Sequence, residues 1–161
     1  MRIAAAGVLA IAISVVGAGR ATSYAMLPLA SIVAGAHVTQ RFGCTDLLLE
    51  PYDPDCPSRH FHSGIDLAAS AGTVVRSATA GIAYVGFDPD GAGRYVAVSF
   101  DSRTRLLYCH LSAITVVEGE EVSMGEMVGA VGATGMATGP HLHFEVQVDR
   151  RPVDPETWLR S

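Results

Sequence analysis

Gly139-Pro140-His141-Leu142-His143-Phe144-Glu145-Val146 alternates polar and apolar residues after a Gly-Pro turn. That period of two is the mark of a half-buried strand. It puts His141, His143 and Glu145 on one side and Leu142, Phe144 and Val146 on the other. One side packs on a core. The other carries two imidazoles about 6–7 Å apart along the backbone, close enough to serve one small site. A paired-histidine face suggests metal binding or proton transfer, so the rest of the chain is read for what else points there.

Upstream the punctuation is that of an all-β domain. Val74–Ser77 reads as a short strand, and Ala80-Gly81 turns into Ile82–Phe87. The dense turn signal Asp88-Pro89-Asp90-Gly91-Ala92-Gly93 precedes Tyr95–Phe100, and Asp101-Ser102-Arg103 turns into Leu106–Leu111. Glycines 119, 125, 129, 132 and 135 cut the segments downstream. We expect a mostly β, antiparallel sandwich or barrel-like domain, ending in a short helical turn at Pro155–Leu159. Asp88–Gly91 has the look of a calcium loop but lacks the acidic twelfth ligand. Gly129–Gly135 has the look of a phosphate loop but lacks its Lys and Ser/Thr. Both read as turns.

A chain of 161 residues is most simply one domain. Its net charge is −5 and all eleven cationic residues are scattered arginines. A nucleic-acid binder would show a basic stripe, so that class is set aside. Arg2 precedes an uninterrupted small and apolar run, Ile3–Gly19. We read residues 1–25 as a signal peptide, with small residues spaced for cleavage at Val16 and Ala18 or at Ser23 and Ala25. An uncleaved membrane anchor is the alternative. Both send residues 26–161 outside the cytoplasm, as a secreted, periplasmic or cell-wall-associated domain.

Three cysteines contain no Cys-x-x-Cys pair, so a zinc finger is not supported. In an oxidising compartment Cys44 and Cys56 form a disulfide across a Pro-rich acidic loop, with two free thiols as the alternative. Closing such a loop is worth roughly 3 kcal/mol in the chain-entropy model. In Leu106-Leu107-Tyr108-Cys109-His110-Leu111, strand alternation turns Cys109 away from His110 and reads as a buried, inert thiol. The same alternation puts Tyr108 beside His110, where packing and substrate contact are both open.

His60-Phe61-His62-Ser63-Gly64-Ile65-Asp66-Leu67 adds imidazole and carboxylate, both competent zinc ligands. Fully extended, His62 and Asp66 would lie about 13 Å apart, so the segment must curve for them to share an ion. Gly64 is the residue that most easily permits it. A helical His-Glu-x-x-His reading fails, because the Glu is missing and a glycine sits mid-segment. His37 and His60 read as surface histidines.

Taken together, His62-Ser63-Gly64-Ile65-Asp66, Tyr108-Cys109-His110-Leu111 and Thr138–Glu145 resemble the lysostaphin-type zinc endopeptidases of bacterial cell-wall hydrolysis. Their order matches as well, and the likeness extends over roughly residues 36 to 157, including Val38–Gly43, Gly119–Gly125 and Val153-Asp154-Pro155. The resemblance implies a duplicated-hybrid-motif type of β fold with an open groove. It implies His62, Asp66 and His143 as Zn2+ ligands, and His110 and His141 as catalytic histidines. Spacing alone does not choose His143 over His141. Three protein ligands leave one position open, as a catalytic zinc site requires. Zinc there would bring a water's pKa towards about 7 and polarise the scissile carbonyl. With no glutamate base, one histidine takes the proton and the other steadies the oxyanion, the division between them being open. Glu145 reads as a partner of a ligand or as a solvated rim residue.

The implied reaction is hydrolysis of a peptide bond in peptidoglycan stems or cross-bridges by a monomer. Two other classes stay in view. One is a catalytically silent regulator of other wall hydrolases, although such relatives usually lose ligands. The other is a sugar-system phosphocarrier domain, against which an exported chain and an intact His-Leu-His argue.

Overall fold

The computed structural model describes residues 26–161, so the reading of residues 1–25 as a signal or anchor lies outside it. In chain order the elements are α1 (Leu29–Ile32), β1 (His37–Gln40), β2 (Gly43–Thr45), β3 (His60–His62), β4 (Ile65–Ala68), β5 (Val74–Arg76) and β6 (Gly81–Asp88). They continue with β7 (Gly93–Ser99), β8 (Thr104–Leu111), β9 (Ala113–Ile114), β10 (Glu121–Val122), β11 (Met127–Ala130), β12 (His141–Val148), β13 (Arg151–Val153) and α2 (Pro155–Trp158). The fold is mostly β, as expected, with antiparallel sheets that do not close into a barrel. The large sheet runs β1-β4-β12-β8-β7-β6-β10, with β13 added on β12. A second sheet, β5-β11-β9, and a two-stranded ribbon, β2-β3, complete it. No helix among the described residues is long and apolar enough to cross a membrane.

The core lies where the large sheet meets the small one. Leu142, Phe144 and Val146 are fully buried, as β12's alternation requires. They cluster with Val96, Val98, Leu106 and Tyr108 of the large sheet and with Val75 and Val128 of the small one. The opposite side of β12 and β8 forms the floor of an open groove of about 430 Å³, lined by Leu107, Cys109, His141, His143 and Glu145 among others.

Strict alternation fails at one point. Between the pairs Arg94↔Leu111 and Val96↔Tyr108, Cys109 and His110 together oppose Tyr95. His110 has φ +63°, so β8 carries a bulge whose extra residue re-aims the end of the strand. Leu111 thereby enters the core, and His110 turns to the groove beside Cys109. This corrects the expectation that Cys109 points away from His110. It also separates Tyr108 from His110. Tyr108 is buried, and its hydroxyl accepts a hydrogen bond from the Ala78 amide at 2.7 Å. Burial pushes the phenol up to about 12, and its role is packing rather than substrate contact.

The Cys44–Cys56 disulfide is present. It closes the long β2–β3 loop onto the ribbon, and that loop forms one wall of the groove through Leu47, Leu49, Glu50 and Pro51.

Candidate metal centre

The segment carrying His62 and Asp66 does curve, by changing sheets. His62 ends β3 on the ribbon, whereas Asp66 lies on β4, where it pairs with His143 of β12. Gly64 stands at the break. It has no left-handed backbone angle; what it supplies is room. A Cβ there would sit 2.5 Å from the Phe144 carbonyl oxygen and 2.8 Å from His143 Nε2.

Three donor atoms converge as a result. His62 Nε2 lies 3.2 Å from Asp66 Oδ1 and 3.0 Å from His143 Nδ1, and His143 Nδ1 lies 3.0 Å from Asp66 Oδ1. Bonds of about 2.0–2.1 Å to a tetrahedral zinc put donor atoms about 3.3 Å apart, so this triangle fits a zinc ion. His62, Asp66 and His143 form a metal-competent cluster of histidine and carboxylate donors.

What lies behind each ring sets its tautomer. His62 Nδ1 faces the Arg41 carbonyl at 3.0 Å, His110 Nδ1 faces the Thr134 carbonyl at 2.9 Å, and His141 Nδ1 faces the Gly139 carbonyl at 2.8 Å. A carbonyl only accepts, so each Nδ1 carries the proton and each Nε2 offers its lone pair. His143 differs: its Nε2 lies 3.6 Å from Glu145 Oε2, an arrangement in which a carboxylate raises the basicity of a ligating ring. Glu145 is buried and accepts a hydrogen bond from Ser63 Oγ at 2.6 Å. It therefore partners His143 rather than standing on a solvated rim.

The charges reflect these contacts. Burial works against a charged His143, but Asp66 and Glu145 outweigh it and push the ring up to about 9. Burial likewise opposes the Asp66 charge, yet His143 and His62 hold its carboxyl well below the usual range. Glu145 is also held low, against burial, by His143, Ser63 and Gln147. A divalent cation among the same three atoms would replace the bound proton, which couples metal binding to proton release. Burial pushes His110 down to about 4, with the neighbouring His141 and His143 adding to the shift. Burial also drives the Cys109 thiol far upward, so it stays protonated and inert as expected.

All five residues singled out in the sequence meet here. The His110 and His141 ring centroids are 4.7 Å apart, and those of His110 and His143 are 6.0 Å apart. His141 Nε2 comes no nearer to Asp66 than 3.8 Å, at Oδ2, outside the tighter triangle. His37 is exposed and His60 half-buried, with His60 Nδ1 bound to the Glu50 carbonyl at 2.7 Å. Sequence reading passed over Glu50, one of whose carboxylate oxygens lies 4.0 Å from His62 Nε2.

A histidine–carboxylate triad open to a groove, flanked by two further imidazoles, has the donor chemistry of a mononuclear metallohydrolase. The chain belongs to peptidase family M23, whose sequence profile matches residues 60–155. It is 43% identical over 94 residues to the DD-carboxypeptidase/endopeptidase Mpg of Neisseria meningitidis serogroup B, and 40% identical over 93 residues to the peptidoglycan DD-endopeptidase ShyA of Vibrio cholerae. Each match covers 58% of this chain but only 22% of the relative. Among solved structures, a zinc-containing peptidase from Vibrio cholerae superposes with a TM-score of 0.69 at 31% identity, over 83% of this chain and 40% of that one. The catalytic domain of lysostaphin from Staphylococcus simulans superposes with a TM-score of 0.65 at 29% identity, over 78% of this chain and 93% of that domain.

Proposed function

We propose that this chain is a zinc-dependent endopeptidase that hydrolyses peptide bonds in peptidoglycan stems or cross-bridges. The observation that carries the reading is the convergence of His62, Asp66 and His143 on one point, with His110 and His141 beside it in an open groove. The peptidoglycan substrate is supported by the relatives named as peptidoglycan endopeptidases. Export is supported by the Cys44–Cys56 disulfide, a bond that persists in oxidising compartments.

His62, Asp66 and His143 would hold the zinc. Zinc supplies a water acidified towards about 7 and a Lewis acid for the scissile carbonyl. The protein supplies the rest. Glu145 orients His143 and sustains its basicity. His110 is kept neutral by burial and turns Nε2 away from the Thr134 carbonyl, so it is ready to accept a proton. His141, fixed in the same tautomer by Gly139, stands within one ring's width of it. One of the pair takes the proton of the attacking water and returns it to the leaving amine. The other donates to the charge that grows on the carbonyl oxygen once its Nε2 also carries a proton.

Purified cell walls incubated with the zinc-loaded chain should release new amino termini. A chelator should stop that release, and His143→Ala should lack it. Undiminished release by His143→Ala would sink the ligand assignment. No release from any wall type would favour the silent regulator. For the export reading, residues 1–30 fused to alkaline phosphatase should give an active reporter, and an inactive fusion would refute it.

A further inference from the structure

Glu50 takes no part in these proton transfers, yet it is held at the metal centre. One of its oxygens lies 4.0 Å from His62 Nε2, the atom that faces Asp66 and His143. Gln40 Nε2 donates to that same oxygen at 3.0 Å. The Glu50 backbone carbonyl accepts from His60 Nδ1 at 2.7 Å, and the next carbonyl, that of Pro51, accepts from the Phe61 amide at 3.1 Å. The carboxylate is therefore pinned to β1 through Gln40 and to β3 through His60 and Phe61. The Cys44–Cys56 bond closes the loop that carries it. Its side chain is 17% exposed, and among the described residues no arginine pairs with it. The half-buried Glu50 carboxylate, held by Gln40, thus presents a fixed acceptor to the donor triangle from the wall of the groove.

We propose that Glu50 is a further carboxylate of the metal centre, an outer anion that strengthens binding of the divalent cation, and that the Cys44–Cys56 disulfide is what holds it in place. At 4.0 Å from His62 Nε2 it stands outside the triangle of 3.0–3.2 Å edges. It thus acts on the ion through charge and through the groove rather than as one of the three donors. The inference rests on the reading that His62, Asp66 and His143 hold zinc. Loss of such outer carboxylates typically weakens metal affinity about 10–100-fold.

The test is zinc affinity, measured by competition with a chromophoric chelator at pH 7.5, and the absorption spectrum of the cobalt(II)-substituted protein. Glu50→Gln keeps the shape and can still accept from Gln40, so it removes only the charge. It should bind zinc about 10–100-fold more weakly than the unaltered chain. Cys44→Ser/Cys56→Ser should lose affinity to a similar degree, and adding Glu50→Gln to it should cost little more. If that double variant does not fold by circular dichroism, the unaltered chain with Cys44 and Cys56 reduced and alkylated in the native state replaces it. Zinc binding absent from the unaltered chain, or equal in His143→Ala, would overturn the zinc reading and this inference with it. Undiminished affinity in Glu50→Gln, with binding lost in His143→Ala, would overturn this inference alone. Weakening by Glu50→Gln without weakening by the loop variants would overturn the role given to the disulfide.

Discussion

Replacing Gly64 by alanine tests how tightly the centre is built. The added methyl would lie 2.5 Å from the Phe144 carbonyl oxygen and 2.8 Å from His143 Nε2, where ordinary contact begins at 3.4 Å. To restore contact the methyl needs about 0.9 Å more room from the carbonyl and about 0.6 Å more from the ring. The carbonyl belongs to β12 in the middle of the large sheet, so the ring is the softer of the two. Overpacking of this kind costs about 1–3 kcal/mol. In a chain of this size each kcal/mol lowers the melting temperature by roughly 2–4 °C. The metal site should suffer more, because ligand distances tolerate only about 0.2 Å. Zinc affinity should therefore fall at least about tenfold, while the metal-free domain still folds. Urea melts of metal-free protein give the first quantity and chelator competition the second. Stability and affinity both equal to those of the unaltered chain would refute the close approach. A loss of stability with zinc binding intact would show that β12, not the His143 ring, gave way.

Tyr108→Phe deletes the hydroxyl that accepts from the Ala78 amide. It should cost about 1–3 kcal/mol in thermal or urea melts, with wall hydrolysis at low temperature unchanged; lost activity with full stability would return Tyr108 to the groove. In metal-free protein His143 is raised to about 9. The proton it holds stabilises the fold fully below its ordinary value near 6.5, and that stabilisation is lost as pH rises through 9. The shift is worth roughly 3–4 kcal/mol at most. Urea melts of chelator-treated protein between pH 6 and 9.5 should show the decline, and His143→Gln should flatten it; an equally steep decline in His143→Gln would refute the assignment. His110, lowered to about 4, acts at the other end, with stability lost as pH falls from near 6.5 towards 4. The Cys109 thiol is buried and driven upward, so iodoacetamide at pH 8 should label it only after denaturation, and labelling of the folded protein would contradict its burial.

The strand at β12 was legible because Leu142, Phe144 and Val146 on one of its sides are buried, which forces a period of two on the residue types. The bulge in β8 was not. It rests on a left-handed His110, and no polar–apolar pattern records a backbone angle. The loop from Val131 to Thr134 braces it: Thr134 takes the His110 ring, and a Cβ at Gly132 would lie 2.7 Å from the His110 carbonyl oxygen. The meeting of His62 and Asp66 was inferable only as a need to curve, since the change of sheet at Gly64 depends on β12 lying alongside. Glu50 left no signal, because its place depends on Gln40, His60 and a disulfide, none of which is near it in any motif.

The two histidines of β12 differ less in what they face than in what stands behind them. Both look into the same groove from positions two residues apart. Behind His141 is the Gly139 carbonyl, which accepts a hydrogen bond from Nδ1–H and carries no formal charge. Behind His143 is the Glu145 carboxylate, itself anchored by Ser63. A carbonyl fixes Nδ1–H and leaves Nε2 facing the groove without adding a formal charge, whereas a carboxylate makes a ring more basic and better suited to hold a cation. His62 and His110 show that position relative to Asp66 matters as well. Both are backed by carbonyls, but only His62 Nε2 reaches the carboxylate, at 3.2 Å. In the proposed mechanism, distance to Asp66 thus separates the metal donor from the proton carriers among the carbonyl-backed rings, and Glu145 adds the second criterion for His143. Exchanging Glu145 for glutamine should then weaken zinc binding about 10–100-fold while leaving the His110–His141 pair in place.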